Sequence, residues 1–317
     1  MERGKKALAR GAAALGLAAA AGVYGTYRYI FYSPVGNQND DTALPFRQDE
    51  EQAKRALALI GKLNARPYEA VSIRSFDGLR LSGRIYRARA GAPVAVLCHG
   101  YRGTPSRDFS GGAAVLLEME LNVLLVEQRA HCSSGGHTIS FGSNERYDCR
   151  AWCRYAAERF GAETPILLAG ISMGAATVLM ASALDLPENV RGIIADCPYT
   201  APRAIISRVG REMGLPGAAV GAAAALAART FGRFDLDAAD AAEAVRSARV
   251  PVLLIHGEAD GFVPCEMSRE IAAANPEKVR LETFPGARHG VSYLSDTARY
   301  TTLVRAFCER VLNEEKK

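Results

Sequence analysis

Ile166-Leu167-Leu168-Ala169-Gly170-Ile171-Ser172-Met173-Gly174-Ala175-Ala176 runs an apolar segment into a Gly-x-Ser-x-Gly turn and on into a stretch rich in Ala and Leu. The pentapeptide alone is common, but a buried strand before it and a helix after it form the setting in which a serine hydroxyl is held exposed on a strained turn. Glycines two residues to either side of Ser172 allow the strand, the turn and the helix to approach closely.

Outward from this stretch the same writing repeats. Val94–Cys98, Val123–Val126, Ile166–Ala169, Gly192–Ala195 and Val252–Ile255 are short apolar runs, several rich in Val and Ile, each separated by enough chain for a helix. That pattern predicts a buried parallel sheet. Helices are expected at Gly112–Met119, Arg146–Arg159, Met173–Ala183, Glu266–Ala274 and Thr297–Leu312. Val71–Phe76 and Leu79–Tyr86 flank Asp77-Gly78, a hairpin signal, and Glu50–Leu63 has apolar residues at helical spacing. The expected fold is α/β: a mostly parallel central sheet flanked by helices, an antiparallel hairpin at one edge and a lead-in helix. More than fifty residues between Asp196 and Val252 interrupt the rhythm. They predict a small helical cap over approximately 200–245, within a domain of 70–317 preceded by a linker and lead-in helix over 34–69. Within the cap, Ala218–Leu226 is apolar all round, which suits a helix packed tightly through its alanines, or one that touches an apolar ligand.

A serine hydroxyl attacks at neutral pH only with a base and a group that orients the base. Of the five histidines, His289 lies in a Gly-flanked loop after the strand expected over Val279–Phe284 and before the last helix, where a loop-borne base belongs. His99 and His256 each end a buried strand and suit structural hydrogen bonding. His131 and His137 lie in a polar neighbourhood that suits the surface. Asp260 follows the run Val252–Ile255, so Ser172, Asp260 and His289 come in the chain order of a Ser…Asp…His triad. Asp196, at a strand end, is the reserve acid and Glu258 a weaker one. Stabilising a tetrahedral intermediate requires preorganised N–H groups. The strand ending at Cys98 runs into His99-Gly100-Tyr101-Arg102-Gly103, which makes the N–H groups of Tyr101 and Met173 the expected oxyanion donors.

Composition bounds the rest. The 317 residues are 49% hydrophobic and 23% charged, the range of a globular chain with a sizeable core. Of the net charge of +5, +4 falls on residues 1–33, leaving a nearly neutral body with no electrostatic footprint for nucleic acid. In residues 1–33, Arg3, Lys5, Lys6 and Arg10 precede an uncharged stretch from Gly11 to Tyr27 and a cluster of Tyr24, Tyr27, Tyr29, Phe31 and Tyr32. At ~1.5 Å per residue the stretch covers roughly 26 Å, extended to roughly 31 Å if Arg28 snorkels. The segment is expected to be a membrane anchor, with the catalytic domain outside the cytoplasm. A cleaved signal with its site near Ala18–Ala21, or a frayed helix on a secreted or cytoplasmic protein, are the alternatives. Seven cysteines with no Cys-x-x-Cys pair predict free thiols. Cys149 and Cys153 share a helix face and suit buried packing better than a bridge or a ligand pair.

With His99-Gly100, Gly170-Ile171-Ser172-Met173-Gly174, His256-Gly257-Glu258-Ala259-Asp260, Val263-Pro264 and His289-Gly290 in this order, residues 70–312 resemble the α/β-hydrolase superfamily. Gln128-Arg129-Ala130-His131, Ser134-Gly135-Gly136 and Ile139-Ser140-Phe141-Gly142 are similar to a membrane-anchored branch related to prolyl-oligopeptidase-like and lysophospholipase-like members. Two departures are Glu127, where relatives often have Asp, and Cys132, where many have Gly. The resemblance implies a serine hydrolase that cleaves carboxylic esters, including acyl or lipid esters, through an acyl-enzyme, with no metal, cofactor or obligate protein partner. Peptide or amide hydrolysis is the first alternative, since the same triad serves both bonds. A non-catalytic scaffold tethered at the membrane is the second, set against by the intact triad.

Overall fold

In a computed structural model of the chain, residues 17, 19–34, 41, 42, 44 and 49–313 are described. A helix over residues 19–30 (α1) is followed by α2 (Glu50–Asn64), β1 (Glu69–Arg74), β2 (Arg80–Tyr86), β3 (Val94–Cys98), α3 (Pro105–Glu118), β4 (Asn122–Val126) and α4 (Glu145–Phe160). Next come β5 (Ile166–Ile171), α5 (Met173–Ala181), β6 (Val190–Asp196), α6 (Pro202–Glu212), α7 (Gly217–Ala227) and a π-helical turn, Ala228–Gly232. The chain closes with α8 (Ala241–Arg246), β7 (Val252–Gly257), α9 (Cys265–Ala274), β8 (Val279–Phe284), α10 (Ser292–Ser295) and α11 (Thr297–Asn313).

The eight strands form one sheet in the order β1-β2-β4-β3-β5-β6-β7-β8. β1 and β2 pair antiparallel and β2 meets β4 antiparallel, whereas all pairs from β4 to β8 are parallel. This is the α/β-hydrolase architecture that the apolar runs and the Asp77-Gly78 hairpin imply. Strand alternation divides the core between the two faces. Val96, Ile166, Leu168, Ile193 and Leu254 pack beneath α4, α5 and α8, and Leu97, Leu167, Ala169, Ile194 and Leu253 pack beneath α3 and α11.

One helix differs from the sequence reading and one follows it. α3 begins seven residues earlier than the apolar period shows, because Pro105 sits at its first turn and the Thr104 hydroxyl caps it by accepting from the Arg107 N–H. α7, the alanine helix, buries Gly217, Gly221, Ala224 and Ala227 on one face and packs against α6, the close alanine packing described above.

The N-terminal segment corrects an expectation. No helix among the described residues is long and apolar enough to cross a membrane, so the single-pass anchor with an external catalytic domain is not supported. The basic residues to Arg10, most of Gly11–Ala18, and Asn37–Asp40 of the linker lie outside the described residues. Of the aromatic residues placed at a lipid interface by their composition, Tyr27 and Phe31 are instead drawn into the protein, whereas Tyr24 and Tyr29 stay exposed. Phe31 is fully buried, edge-on to Phe141 and Phe234, and the Tyr27 hydroxyl shares a 2.8 Å hydrogen bond with Thr138. Tyr32 bridges Thr138, the Ser33 N–H donates to the His137 carbonyl, and the Ile139 N–H donates to the Phe31 carbonyl. Apolarity alone does not distinguish a helix that faces lipid from one that docks on its own domain.

Candidate active site

β5 delivers Ser172 to the C-terminal edge of the sheet, and α5 starts at the next residue. The turn between them forces Ser172 to φ 54° and ψ −117°, a conformation that costs a non-glycine residue about 1–3 kcal/mol. The Ser172 N–H donates to the Asp196 carbonyl at 2.8 Å, which ties the turn to the end of β6. His289, on the loop after β8, places Nε2 2.9 Å from the Ser172 hydroxyl and Nδ1 2.6 Å from Asp260 Oδ2. Asp260, on the loop after β7, accepts on Oδ1 from the N–H groups of Phe262 and Val263. His256 Nε2 lies 3.3 Å from Asp260 Oδ2. Burial would raise the Asp260 carboxyl, but the hydrogen bonds from His256 and His289 outweigh it and hold the group down at about 2. The structure therefore brings together Ser172, Asp260 and His289.

It does not bring the reserve acids to the base. Glu258 is exposed and its carboxylate accepts from the Thr283 hydroxyl. Asp196 is buried, and its carboxyl accepts from the Ser292 hydroxyl at 3.3 Å. Burial pushes Asp196 up to about 7, so between the ordinary aspartate value of about 3.9 and 7 the folded chain holds a proton that the unfolded chain has lost. That uptake makes Asp196 cost stability as pH rises through this window, with the cost level above it. Asp196→Asn is accordingly expected to gain thermal stability relative to wild type at pH 8 and little or none at pH 4. A difference in Tm that stays constant across that range would contradict this account.

The turn His99–Gly103 leaves β3 beside Ser172. Gly100 donates its N–H to Asp108 Oδ2 at 2.7 Å, Arg102 to His131 Nε2 at 3.0 Å, and Gly103 to the Gly100 carbonyl. The N–H of Tyr101 meets no acceptor among the described residues. Met173 opens α5, where the first N–H groups have no intrahelical acceptor. The N–H groups of Tyr101 and Met173, the oxyanion donors expected from the sequence, are thus both left beside Ser172 without an acceptor among the described residues. His131 and His99, by contrast, are both fully enclosed, which places His131 in the core and not at the surface. Burial drives both down, His99 to about 4 and His131 to about 3, so each stays neutral and accepts a backbone N–H. The supporting roles of Asp108 and His131 left no periodic signal in the sequence, because each acts through one hydrogen bond to backbone.

Cys197 is buried with Sγ 4.0 Å from His289 Nε2, and burial pushes its thiol well up, so it stands beside the base as an un-ionised group. Cys197, Asp260 and His289 each place a potential metal-ligand atom within 4.8 Å of the others, but the Asp260 carboxylate and the His289 ring are already bound to each other. That cluster is explained by the triad. All seven cysteines are free thiols, and Cys149 and Cys153 are buried on one face of α4.

A cleft of about 320 Å³ opens at Ser172. Its walls are Phe109 and Leu116 of α3, Ala169 and Ile194 of the sheet, Leu294 of α10 and Val304 of α11, with Leu59 of α2 above. No residue of 202–246 lines it, so the lead-in helix borders the cleft where the insertion was expected to.

Residues 138–315 match the model of the prolyl oligopeptidase family. The Bacillus subtilis protein YqkD is 24% identical over 198 residues, 62% of this chain and 65% of its own length, so the match spans just under two thirds of that relative. The thiohydrolase aneE of Aspergillus aculeatus is 28% identical over 137 residues, 41% of this chain and 42% of that protein. Among solved structures, the Pyrococcus furiosus esterase Pf2001 superimposes with a TM-score of 0.65 at 21% identity, covering 80% of this chain and 93% of the esterase. At that identity the superposition carries the fold.

Proposed function

Because the chain belongs to the prolyl oligopeptidase family and is a serine hydrolase of the α/β-hydrolase superfamily, we propose that it hydrolyses carboxylic esters with short or medium acyl groups. One observation carries this reading: Ser172, His289 and Asp260 are joined by consecutive hydrogen bonds at the mouth of a small, mostly apolar cleft. Ser172 Oγ attacks the ester carbonyl as His289 Nε2 takes its proton, while Asp260 holds the Nδ1–H tautomer and supports the imidazolium. The carbonyl oxygen, now an oxyanion, accepts from the N–H groups of Tyr101 and Met173. Collapse breaks the ester C–O bond, and His289 returns the proton to the departing alcohol. Water, activated by the same histidine, then releases the acid and restores Ser172.

The cleft volume lies at the small end of ligand pockets, roughly 300–1,000 Å³, and the core side chains Leu116 and Val304 are among those that line it. An esterase among the solved structures of this fold and a thiohydrolase among the relatives favour an acyl transfer from oxygen or sulfur over peptide cleavage. The test is fluorophosphonate labelling of the full chain and of Ser172→Ala, with p-nitrophenyl esters from acetate to palmitate and an anilide matched to the best ester. The expected result is labelling lost in the variant, turnover highest between butyrate and octanoate, and an ester preferred over its anilide. A preferred anilide would assign the chain to amide or peptide hydrolysis. No labelling of the wild type would remove Ser172 as nucleophile.

A further inference from the structure

The oxyanion turn is held from three directions, by α3, by the loop after β4 and by the N-terminal segment. Asp108 of α3 holds the Gly100 N–H, and His131 of the loop after β4 holds the Arg102 N–H. The third hold comes from the N-terminal segment. The Tyr101 hydroxyl donates to the Ile30 carbonyl at 2.7 Å, and the Arg102 guanidinium donates to the Tyr29 carbonyl at 2.8 Å. These carbonyls belong to the last turn of α1, where a helix leaves its acceptors without intrahelical donors. The Tyr101 ring lies 4.9 Å from the ring of Phe141, which in turn meets Phe31 edge-on at 5.8 Å. A continuous aromatic stack thus joins a buried residue of the segment to the residue whose N–H faces the reacting carbonyl. Burial pushes the Tyr101 hydroxyl up to about 12, so it remains a donor over the working pH range.

We propose that α1 is a positioning element of the catalytic site, and that the Tyr101 hydroxyl, bound to the Ile30 carbonyl, is the strut through which it sets the oxyanion turn. The inference rests on the serine-hydrolase reading above. Tyr101 then has two separable duties. Its N–H, retained in any substitution other than proline, receives the oxyanion, and its side chain fixes where that N–H points. A donor displaced by a fraction of an ångström still admits substrate but stabilises the transition state less, so kcat falls and KM does not.

The full chain carrying Tyr101→Phe is compared with Thr164→Val, which removes a bond of the same kind and length, from the Thr164 hydroxyl to the Phe160 carbonyl at the end of α4, away from the cleft. With p-nitrophenyl butyrate, Tyr101→Phe is expected to lower kcat roughly ten-fold with KM changed less than two-fold, and to slow phosphonylation of Ser172 by a similar factor. Thr164→Val is expected to shift Tm comparably and leave kcat within two-fold. Phe31→Ala, which unseats α1 without touching the turn, is expected to lower kcat in the wild-type background and to have much less effect when Tyr101→Phe is already present. Equal kcat in Tyr101→Phe and wild type, a parallel loss in Thr164→Val, or additive effects of Phe31→Ala and Tyr101→Phe would each overturn the strut. Failure of the wild-type chain to be phosphonylated at Ser172 would instead overturn the serine-hydrolase reading, and the strut with it.

Discussion

Asp260→Asn is expected to lower kcat by roughly 10³–10⁴-fold while the protein stays folded. The size of the effect follows from the way the carboxylate is held. Oδ1 accepts from two backbone donors, the N–H groups of Phe262 and Val263, and Oδ2 faces His289 Nδ1. An asparagine side chain has one oxygen to offer. If it keeps the backbone donors satisfied, its NH₂ points at His289 Nδ1. The ring then becomes an acceptor there, the proton moves to Nε2, and Nε2 can no longer take the Ser172 proton. If the amide flips, its NH₂ faces two N–H groups, an arrangement that costs more than the tautomer change. The backbone therefore selects the inactive orientation. His256 opposes this choice only in part: its Nε2 donates to the Val263 carbonyl at 2.8 Å and lies 3.3 Å from Oδ2, one ring N–H already engaged against two backbone donors at Oδ1. The measurement is kcat on the best p-nitrophenyl ester, with circular dichroism to verify the fold and fluorophosphonate labelling to follow nucleophile activation separately. A loss smaller than ten-fold would mean that another group orients His289. Asp196 is the first to examine, since it is a buried carboxyl at the end of the neighbouring strand β6.

What was legible in the sequence was local. Val94–Cys98 is an apolar run and a strand over the same residues, and Ile166–Ala169 extends by two residues into the turn, because buried parallel strands are written as continuous apolar stretches whatever their neighbours. The triad was legible for the same reason: each member lies just beyond a strand end, on a loop marked by glycine. Contacts across long sequence separations were not. Phe31 and Tyr27 carry the same side chains whether they face lipid or Phe141, and the packing that decides between these is made by residues more than one hundred positions away. His131 stands among serines and glycines, a surface composition, yet Ser134 and the buried Glu127 close over it by bonding to backbone. Glu127, one of the two departures from the related sequences, accepts from the Ser133 N–H and faces Arg84 at 3.6 Å, so the longer side chain is absorbed inside the loop. Composition reports the solvent a residue would choose, and topology decides which solvent it meets.

Gly174→Ala is expected to destabilise the chain by about 3–5 kcal/mol, a fall in Tm of roughly 10 °C at this size, if it folds at all. A Cβ at residue 174 would lie 1.8 Å from the Cys98 carbonyl oxygen and 2.6 Å from that of His99. Both atoms are backbone at the end of β3, so no side-chain rotation relieves the contact. Gly170 is bound in the same knot, since its Cβ would stand 2.2 Å from the Gly174 carbonyl oxygen. Gly61→Ala provides the opposite case. Gly61 lies in α2 with nothing within 4 Å of where its Cβ would be, and there alanine is expected to stabilise by about 0.5–1 kcal/mol. Thermal unfolding of both variants measures the contrast, and similar Tm values would show that the β3–α5 contact yields more readily than its geometry allows. Activity adds a second readout. Relief of the clash must move either α5, which carries the Met173 N–H, or the end of β3, which leads into Tyr101. Any folded fraction of Gly174→Ala should therefore turn over ester more slowly than its remaining stability would suggest, because the glycine that permits the strand and helix to touch also sets the distance between the two N–H groups proposed to receive the oxyanion.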